Sequence, residues 1–251
     1  MDASQISAAG PVAPFNILLS VVAPVYKNAD FLGELASRVR SAVDCSYELV
    51  LVNDASPDNA SEIISALARR DSAICEVQLP SNVGQQQAVL AGLRQSRGEW
   101  VIVLDADLQD PPEAIPTLLA SGRAGYDAVF AGRRSKYQSL GRMLTSKLYK
   151  IVQCAICGVP LDAGMYLALS RKGVERVLNL AGGDGLSLVG MIGLSGLRST
   201  SVAVARAKRA MGRSAYSHSR RFAVGVQYLA RAVTWRWRNS PIRFRYVGRT
   251  S

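Results

Sequence analysis

The run Asp105-Ala106-Asp107-Leu108-Gln109-Asp110-Pro111-Pro112-Glu113 directly follows the apolar stretch Trp100–Leu104. Two aspartates one residue apart on an extended segment point to the same side, and carboxylate oxygens are the donors that a hard divalent cation takes. Such a cation would bridge the phosphates of a nucleotide and neutralise charge on a diphosphate leaving group. A solvated acidic turn ahead of a helix at Pro111-Pro112 would give the same residue types. Other polar groups also follow apolar runs: Pro24-Val25-Tyr26, Asn53-Asp54 and Ser81-Asn82-Val83-Gly84. Gly84 ahead of Gln85-Gln86-Gln87-Ala88 would let backbone N–H groups approach a phosphate, and an ordinary helix start fits too. Asp54 before Ser56-Pro57 also suits a plain turn residue.

Phosphate chemistry is suggested a second time further along. Arg142 and Ser146 lie four apart on a predicted helix, so one face carries a guanidinium and a hydroxyl able to grip one phosphate. Arg133-Arg134 precede them. A solvated basic helix face is the alternative.

The elements that must position these groups follow a regular rhythm. Strands are predicted at Ile17–Ala23, Glu48–Val52, Ile74–Leu79, Trp100–Leu104 and Ala128–Ala131. Helices are predicted between them at Phe31–Val43, Ala60–Arg69, Gln86–Gln95 and Glu113–Ser121, the second with a cap-and-proline start at Ser56-Pro57-Asp58. Alternation of this kind specifies an α/β fold, a mostly parallel central sheet with helices on both faces. Ligands of such sheets sit beyond the carboxyl ends of the strands, where the polar groups above fall. Near the end of the chain, Phe222, Val226, Leu229, Val233 and Trp237 share one helical face, with Arg220, Arg231 and Arg238 roughly opposite. That pattern suits the plane of an anionic membrane and equally suits packing on the protein body.

Composition narrows the possibilities. A chain of 251 residues with 49% hydrophobic and 20% charged residues can bury one large α/β core, which excludes a disordered, collagen-like or disulfide-scaffold protein. No apolar stretch approaches the roughly 18 residues needed to cross a bilayer. Residues 1–14 read as a flexible tail, lacking the features of a signal peptide. The four cysteines are few and scattered, as expected of reduced thiols in the cytoplasm, and Cys154-Ala155-Ile156-Cys157 reads as core packing. From Gly185 to Ser251 there are thirteen Lys and Arg and no acid, so this third carries +13 and the remainder −2, giving the total of +11. A basic surface of this kind suits phosphates. Nucleic-acid binding through Trp235, Trp237, Phe244 and Tyr246 would leave the acidic strand ends unexplained, since carboxylates repel a polyanion, and no nucleic-acid partner is expected.

Taken in order, Val21-Val22-Ala23-Pro24-Val25-Tyr26, Val52-Asn53-Asp54-Ala55-Ser56-Pro57-Asp58, Ser81-Asn82-Val83-Gly84 and the Asp105–Glu113 run resemble glycosyltransferase family 2, particularly its dolichyl- and polyprenyl-phosphate sugar transferases. The likeness extends to Ser240-Pro241-Ile242-Arg243. It implies a single GT-A domain at 15–218, a basic amphipathic segment at 219–251, and inverting transfer from a UDP- or GDP-sugar. By the same resemblance Pro24 and Tyr26 would line the base pocket, Asp54 would hydrogen-bond the base, Gly84 would face the donor, and Asp105 would lie near ribose and metal. Asp105, Asp107 and Gln109 would hold Mg²⁺ or Mn²⁺. Arg133, Arg142 and Ser146 would bind a polyprenyl phosphate, and the Arg209-Ala210-Met211-Gly212-Arg213-Ser214-Ala215-Tyr216 loop with Arg220 would fold over the donor diphosphate, Arg209 stabilising the departing group with Asp107 and Gln109.

A phosphate acceptor is already ionised near neutral pH, which eases the need for a strong base. His218 is the chain's one histidine and no Glu-Asp pair stands where sugar-to-sugar transferases carry their base; Asp162 and Asp184 are the nearest carboxylates. A sugar hydroxyl on a glycan or lipid-linked saccharide would need one of them. Relatives often continue into membrane-spanning helices after the Ser240–Arg243 position, so a peripheral protein at the cytosolic membrane face and a trimmed catalytic domain both stay open. A membrane-protein partner and a homo-oligomer stay open with them.

Overall fold

The computed structural model describes residues 17–133, 150–181, 185–205 and 218–238. Seven strands form one sheet: β1 (Leu19–Val25), β2 (Tyr47–Asn53), β3 (Ile74–Gln78), β4 (Trp100–Val103), β5 (Ala128–Arg133), β6 (Leu167–Ser170) and β7 (Ser199–Val204). Their order is β3-β2-β1-β4-β6-β5-β7. Every pairing is parallel except those of β6, which runs antiparallel to β4 and β5.

Successive residues of the central strands serve opposite faces. Leu19, Val21, Ala23 and Val25 of β1 pack in one core with α1 (Leu32–Ala42), α2 (Ala60–Arg70) and α4 (Ile115–Arg123). Val22, Val50, Val52, Val101 and Val103 pack in the other with α3 (Gln85–Gln95), α5 (Arg171–Leu180), α6 (Leu188–Leu194) and α7 (His218–Arg238). Coverage of both faces is why β1 and β2 are apolar through Val21–Val25 and Leu49–Val52. A β-carbon on Gly92 of α3 would collide with Val22 and Val52, so this helix lies directly on the sheet.

The four predicted strand–helix units are present, with small shifts. β1 starts and ends two residues later than expected, and α4 is preceded by a 3-10 turn at Pro112–Ala114. At α2 the residue before the helix, Asn59, makes no side-chain cap. Asp58 does so from one position earlier, its Oδ1 accepting from Ala60 N at 3.3 Å and from Ser56 Oγ at 2.6 Å. β6, β7, α5 and α6 extend the sheet and its cover beyond the predicted elements. Cys157 is buried in the second core, where burial pushes its thiol up, in keeping with a packing role.

Pro24 stands where β1 and β4 part. The β1–β4 ladder ends at Val22 opposite Val103, with Leu104 N bonded to Val22 O at 3.1 Å. Two residues on, Pro24 presents its backbone to that same side but has no N–H to offer. β4 is free to diverge there, and the acidic run leaves the sheet at this point.

Candidate active site

Three loops meet at the carboxyl ends of β1, β2 and β4. The first, after β1, is stitched to the second, after β2: Lys27 N donates to Ser56 Oγ at 2.7 Å and Ala29 N to Asp58 Oδ2 at 3.1 Å. Ser56 N in turn donates to Asn53 Oδ1 at 2.9 Å. Lys27 and Ala55 take left-handed backbone conformations, φ 59° and 48°, inside these turns. Tyr26 is left exposed at the mouth with the Lys27 ammonium 5.4 Å from its ring centre.

Asp54 is only 2% exposed. Its Oδ1 accepts from Val83 N at 2.7 Å, and its Oδ2 accepts from Gly84 N at 2.9 Å and Asn82 Nδ2 at 3.1 Å. The carboxylate expected to meet a base therefore clamps the Asn82–Gly84 loop. Gly84 N–H, expected to face a donor, is engaged in that clamp. Gly84 itself has φ 86° and ψ 155°, a region open almost only to glycine. From it α3 starts, and Gln85 Nε2 reaches across to donate to Asp105 Oδ1. Gln86 Nε2 donates to Leu186 O at 2.5 Å, fixing the same turn of helix to the segment before α6.

The acidic run is a turn and departs from the extended geometry expected of it: Leu108 has φ 59°. Asp107 is 9% exposed and accepts from Gln109 N at 3.2 Å and Gln109 Nε2 at 2.5 Å. Asp110, 1% exposed, accepts from Asp105 N at 3.4 Å, closing the turn from within. Tyr166 OH donates to Pro111 O at 2.7 Å and holds the far side. Glu113 is drawn away from the others, its carboxylate held by Arg38 of α1 at 2.8 Å and lowered below the ordinary glutamate range by that bond. Among the described residues no three His, Cys, Asp or Glu side chains converge as a metal cluster. Asp105, Asp107 and the Gln109 carbonyl are nevertheless all oxygen donors, and one or two carboxylates completed by substrate phosphates and water is the set that Mg²⁺-type sites use.

Asp162 packs against Gly132, where a β-carbon would collide with its carboxylate, and so stands at the carboxyl end of β5. Arg133 is the last residue of that strand and Arg220 lies in the first turn of α7. Arg134, Arg142, Ser146, Asp184, Arg209, Ser214 and Tyr216 lie outside the described residues.

α7 meets the protein body through Arg231, Ala232, Trp235 and Arg236. Ala232 is 2% exposed and Trp235 packs on the second core, whereas Val233 is 50% exposed. Arg231 Nη1 donates to Gly185 O at 3.0 Å and Arg236 Nη1 to Ile156 O at 2.5 Å, so two of its arginines hold backbone carbonyls. No helix among the described residues is long and apolar enough to cross a membrane.

Several residues that build the site carried no separate signal in the sequence. Gln86, Leu186 and Tyr166 act through contacts 100 and 55 positions away. Ser56 and Asp58 were visible as a helix start, and the structure adds their bonds to the first loop.

Residues 20–177, more than half of the chain, match the sequence model of Glycosyl transferase family 2. An undecaprenyl-phosphate 4-deoxy-4-formamido-L-arabinose transferase of Pseudomonas aeruginosa is 39% identical over 209 residues, covering 81% of this chain and 61% of that protein. The enzyme of the same name from Shewanella sediminis is 41% identical over 165 residues, 64% of this chain and 50% of its own. The chain thus spans less than two thirds of the length of these curated relatives. Among solved structures, the mannosyltransferase of Pyrobaculum calidifontis in complex with GDP-Man and Mn²⁺ superposes with TM-score 0.63 at 20% identity, covering 92% of this chain and 68% of that one. Glucosyl-3-phosphoglycerate synthase of Mycobacterium tuberculosis, with Mn²⁺ and UDP, gives 0.60 at 20% identity over 87% and 79%. The sheet and its helical cover are those of the GT-A fold, and the chain belongs to glycosyl transferase family 2.

Proposed function

We propose that the chain transfers a sugar, with inversion, from a nucleoside-diphosphate sugar to a polyprenyl phosphate in a divalent-metal-dependent reaction. The observation that carries this reading is the Asp105–Asp110 turn, held at the open end of the β1–β4 crevice by Gln85, Gln109 and Tyr166. Relatives named for undecaprenyl phosphate support the acceptor. Structural neighbours holding UDP or GDP-Man with Mn²⁺ support the donor class and the metal.

On this reading Pro24, Tyr26 and the clamped Asn82–Gly84 loop receive the nucleoside, with Asp54 fixing the loop from behind. Asp105, Asp107 and Gln109 would hold Mg²⁺ or Mn²⁺. A cation bound there supplies neutralising charge to the departing diphosphate. Arg209, Ser214, Tyr216 and Arg220 close over that diphosphate, and Arg133, Arg142 and Ser146 hold the acceptor phosphate on the opposite side of the sugar. A phosphate oxygen then forms the bond to the anomeric carbon as the carbon–oxygen bond to the diphosphate breaks, and the nucleoside diphosphate leaves with the electron pair. Because the nucleophile is already anionic, no side chain has to remove a proton. The position of Asp162 at the end of β5 favours one second reading, in which the acceptor is a hydroxyl and Asp162 takes its proton. The thirteen cations of the C-terminal third and the exposed Val233 support peripheral association with the cytosolic face of a membrane.

The test is transfer to a short-chain polyprenyl phosphate from a panel of UDP- and GDP-sugars with Mg²⁺ or Mn²⁺. Lipid-linked product that is lost in Asp107→Ala and Arg142→Ala supports the proposal. Hydrolysis of one donor without lipid product, abolished by Asp107→Ala, would sink the phosphate acceptor and leave the hydroxyl reading with Asp162→Asn as its test.

A further inference from the structure

We infer that Gln85 is a positioning residue that tunes how strongly the acidic turn holds its cation, aligning Asp105 without cancelling its charge. The inference rests on the metal-dependent reading above.

Its backbone is set by elements that do not touch the acidic turn. Asp54, buried at the end of β2, grips Val83 N and Gly84 N, and Gly84 turns the chain through a conformation that a β-carbon disfavours. Gln85 is therefore delivered as the first residue of α3. The neighbouring Gln86 points elsewhere, to Leu186 O, and pins this end of the helix. Two adjacent amides thus divide the work, one securing the helix and the other reaching Asp105.

The chemistry of the Gln85 side chain decides what that reach can do. An amide N–H occupies one acceptor site of a carboxylate and fixes the plane of the group, while several lone-pair sites stay open to a metal. Being neutral, it does not itself cancel any of the negative charge of Asp105. A cationic side chain of similar length would make the same bond and oppose a bound cation; an anionic one would add to the attraction. Mere tethering makes a different forecast, because lysine can still donate to Asp105 whereas alanine cannot.

The experiment measures Mn²⁺ binding by the disappearance of the free-ion electron paramagnetic resonance signal, with UDP or GDP present and no sugar or acceptor. Wild type, Gln85→Ala, Gln85→Lys and Gln85→Glu are compared on the full chain, each checked for a cooperative thermal transition. Lysine should weaken Mn²⁺ binding about tenfold or more and alanine about threefold, while glutamate should tighten it, in the order expected for one unit charge at hydrogen-bond distance. Lysine binding Mn²⁺ as well as wild type, or better than alanine, overturns the inference and leaves the metal reading intact. Should lysine fail to fold, the glutamate variant decides alone, and weaker binding by it overturns the inference. Absence of Mn²⁺ binding by wild type with either nucleotide overturns both this inference and the metal-dependent reading.

Discussion

The two ends of β2 each carry a buried carboxylate, and they are solved differently. Near the amino end Glu48, 2% exposed, accepts from Ser20 Oγ at 2.7 Å, from Arg97 N at 2.6 Å, and from the Arg97 guanidinium at 2.7 and 2.9 Å. Arg171 adds a second guanidinium that bonds Gly98 O at 2.9 Å, and burial pulls its affinity for a proton down. A β-carbon on Gly98 would strike the backbone of Ser20, so the turn that enters β4 has one seating. Beyond the carboxyl end Asp54, equally buried, draws on two backbone N–H groups and one amide, all neutral. A carboxylate matched by a cation fixes structure and leaves no local charge. One matched only by neutral donors fixes structure and keeps its negative charge beside an acidic turn, which is what a cation-binding edge requires.

If that division holds, substitutions at the two edges separate activity from stability. The largest effect belongs to Asp107→Ala. Transfer from the best donor should fall at least a hundredfold, on the order seen when one preorganised group facing transition-state charge is deleted. The thermal transition should move little, since relief of repulsion among the neighbouring carboxylates offsets the loss of the Gln109 bonds. A comparable loss of activity in Glu48→Ala, measured per folded molecule, would collapse the distinction between the edges.

Asp54→Ala should show both consequences at once. It removes the charged acceptor of the Val83 and Gly84 N–H groups, and a hydrogen bond to a charged group contributes about 1.5–3 kcal/mol. Urea denaturation should therefore report a loss of about 2–4 kcal/mol, and the KM for the donor should rise because the loop flanking the nucleoside is no longer clamped. A stability loss with unchanged donor KM would reduce Asp54 to a structural residue like its counterpart. Glu48→Ala comes next, at about 2–3 kcal/mol, the scale of hydrogen bonds to charged groups. Arg97 is half exposed and can turn to water, which limits the cost. Its kcat/KM per folded molecule should match wild type within about twofold.

How far the sequence foretold this arrangement depends on the reach of the interactions. β1 to β4 were readable because strands buried on both faces are mostly apolar, and Val21–Val25 and Leu49–Val52 are apolar throughout. β6 is four residues, Leu-Ala-Leu-Ser, and β7 is mostly Ser, Thr and Val, so neither shows a period long enough to detect. The acidic turn was legible from composition alone, but its shape was not: the left-handed Leu108 and the partnership of Gln109 with Asp107 depend on packing against Asp110 and Tyr166. The clamp by Asp54 was hidden for the same reason, since its partners lie 28 to 30 positions away. For α7, periodicity identified a helix and one apolar stripe, while the bonds of Arg231 and Arg236 to the carbonyls of Gly185 and Ile156 lie 46 and 80 positions apart in sequence and are invisible to a helical wheel.

The smallest effect tests whether the acidic run is divided as the two edges are. Glu113 belongs to the run by sequence but is paired with Arg38, and that hydrogen bond holds its carboxyl below the ordinary value of 4.5. A carboxyl whose folded affinity for protons is depressed stabilises the protein above its unfolded pKa, and the contribution disappears as pH falls through the folded value. Wild type should thus lose an increment of stability below about pH 4.5 that Glu113→Gln never has. With Glu113 more than half exposed, solvent screening keeps the increment to a few tenths of a kcal/mol. Urea midpoints of the two proteins should accordingly differ slightly at pH 7 and converge once the pH has fallen through the folded value of Glu113. Transfer at pH 7 should be unaffected, because a carboxylate already neutralised by a guanidinium has no charge to lend a cation. A marked loss of Mn²⁺ affinity in Glu113→Gln would move the boundary of the site to include α1 and erase the distinction between charge-matched and neutrally matched acids at this edge.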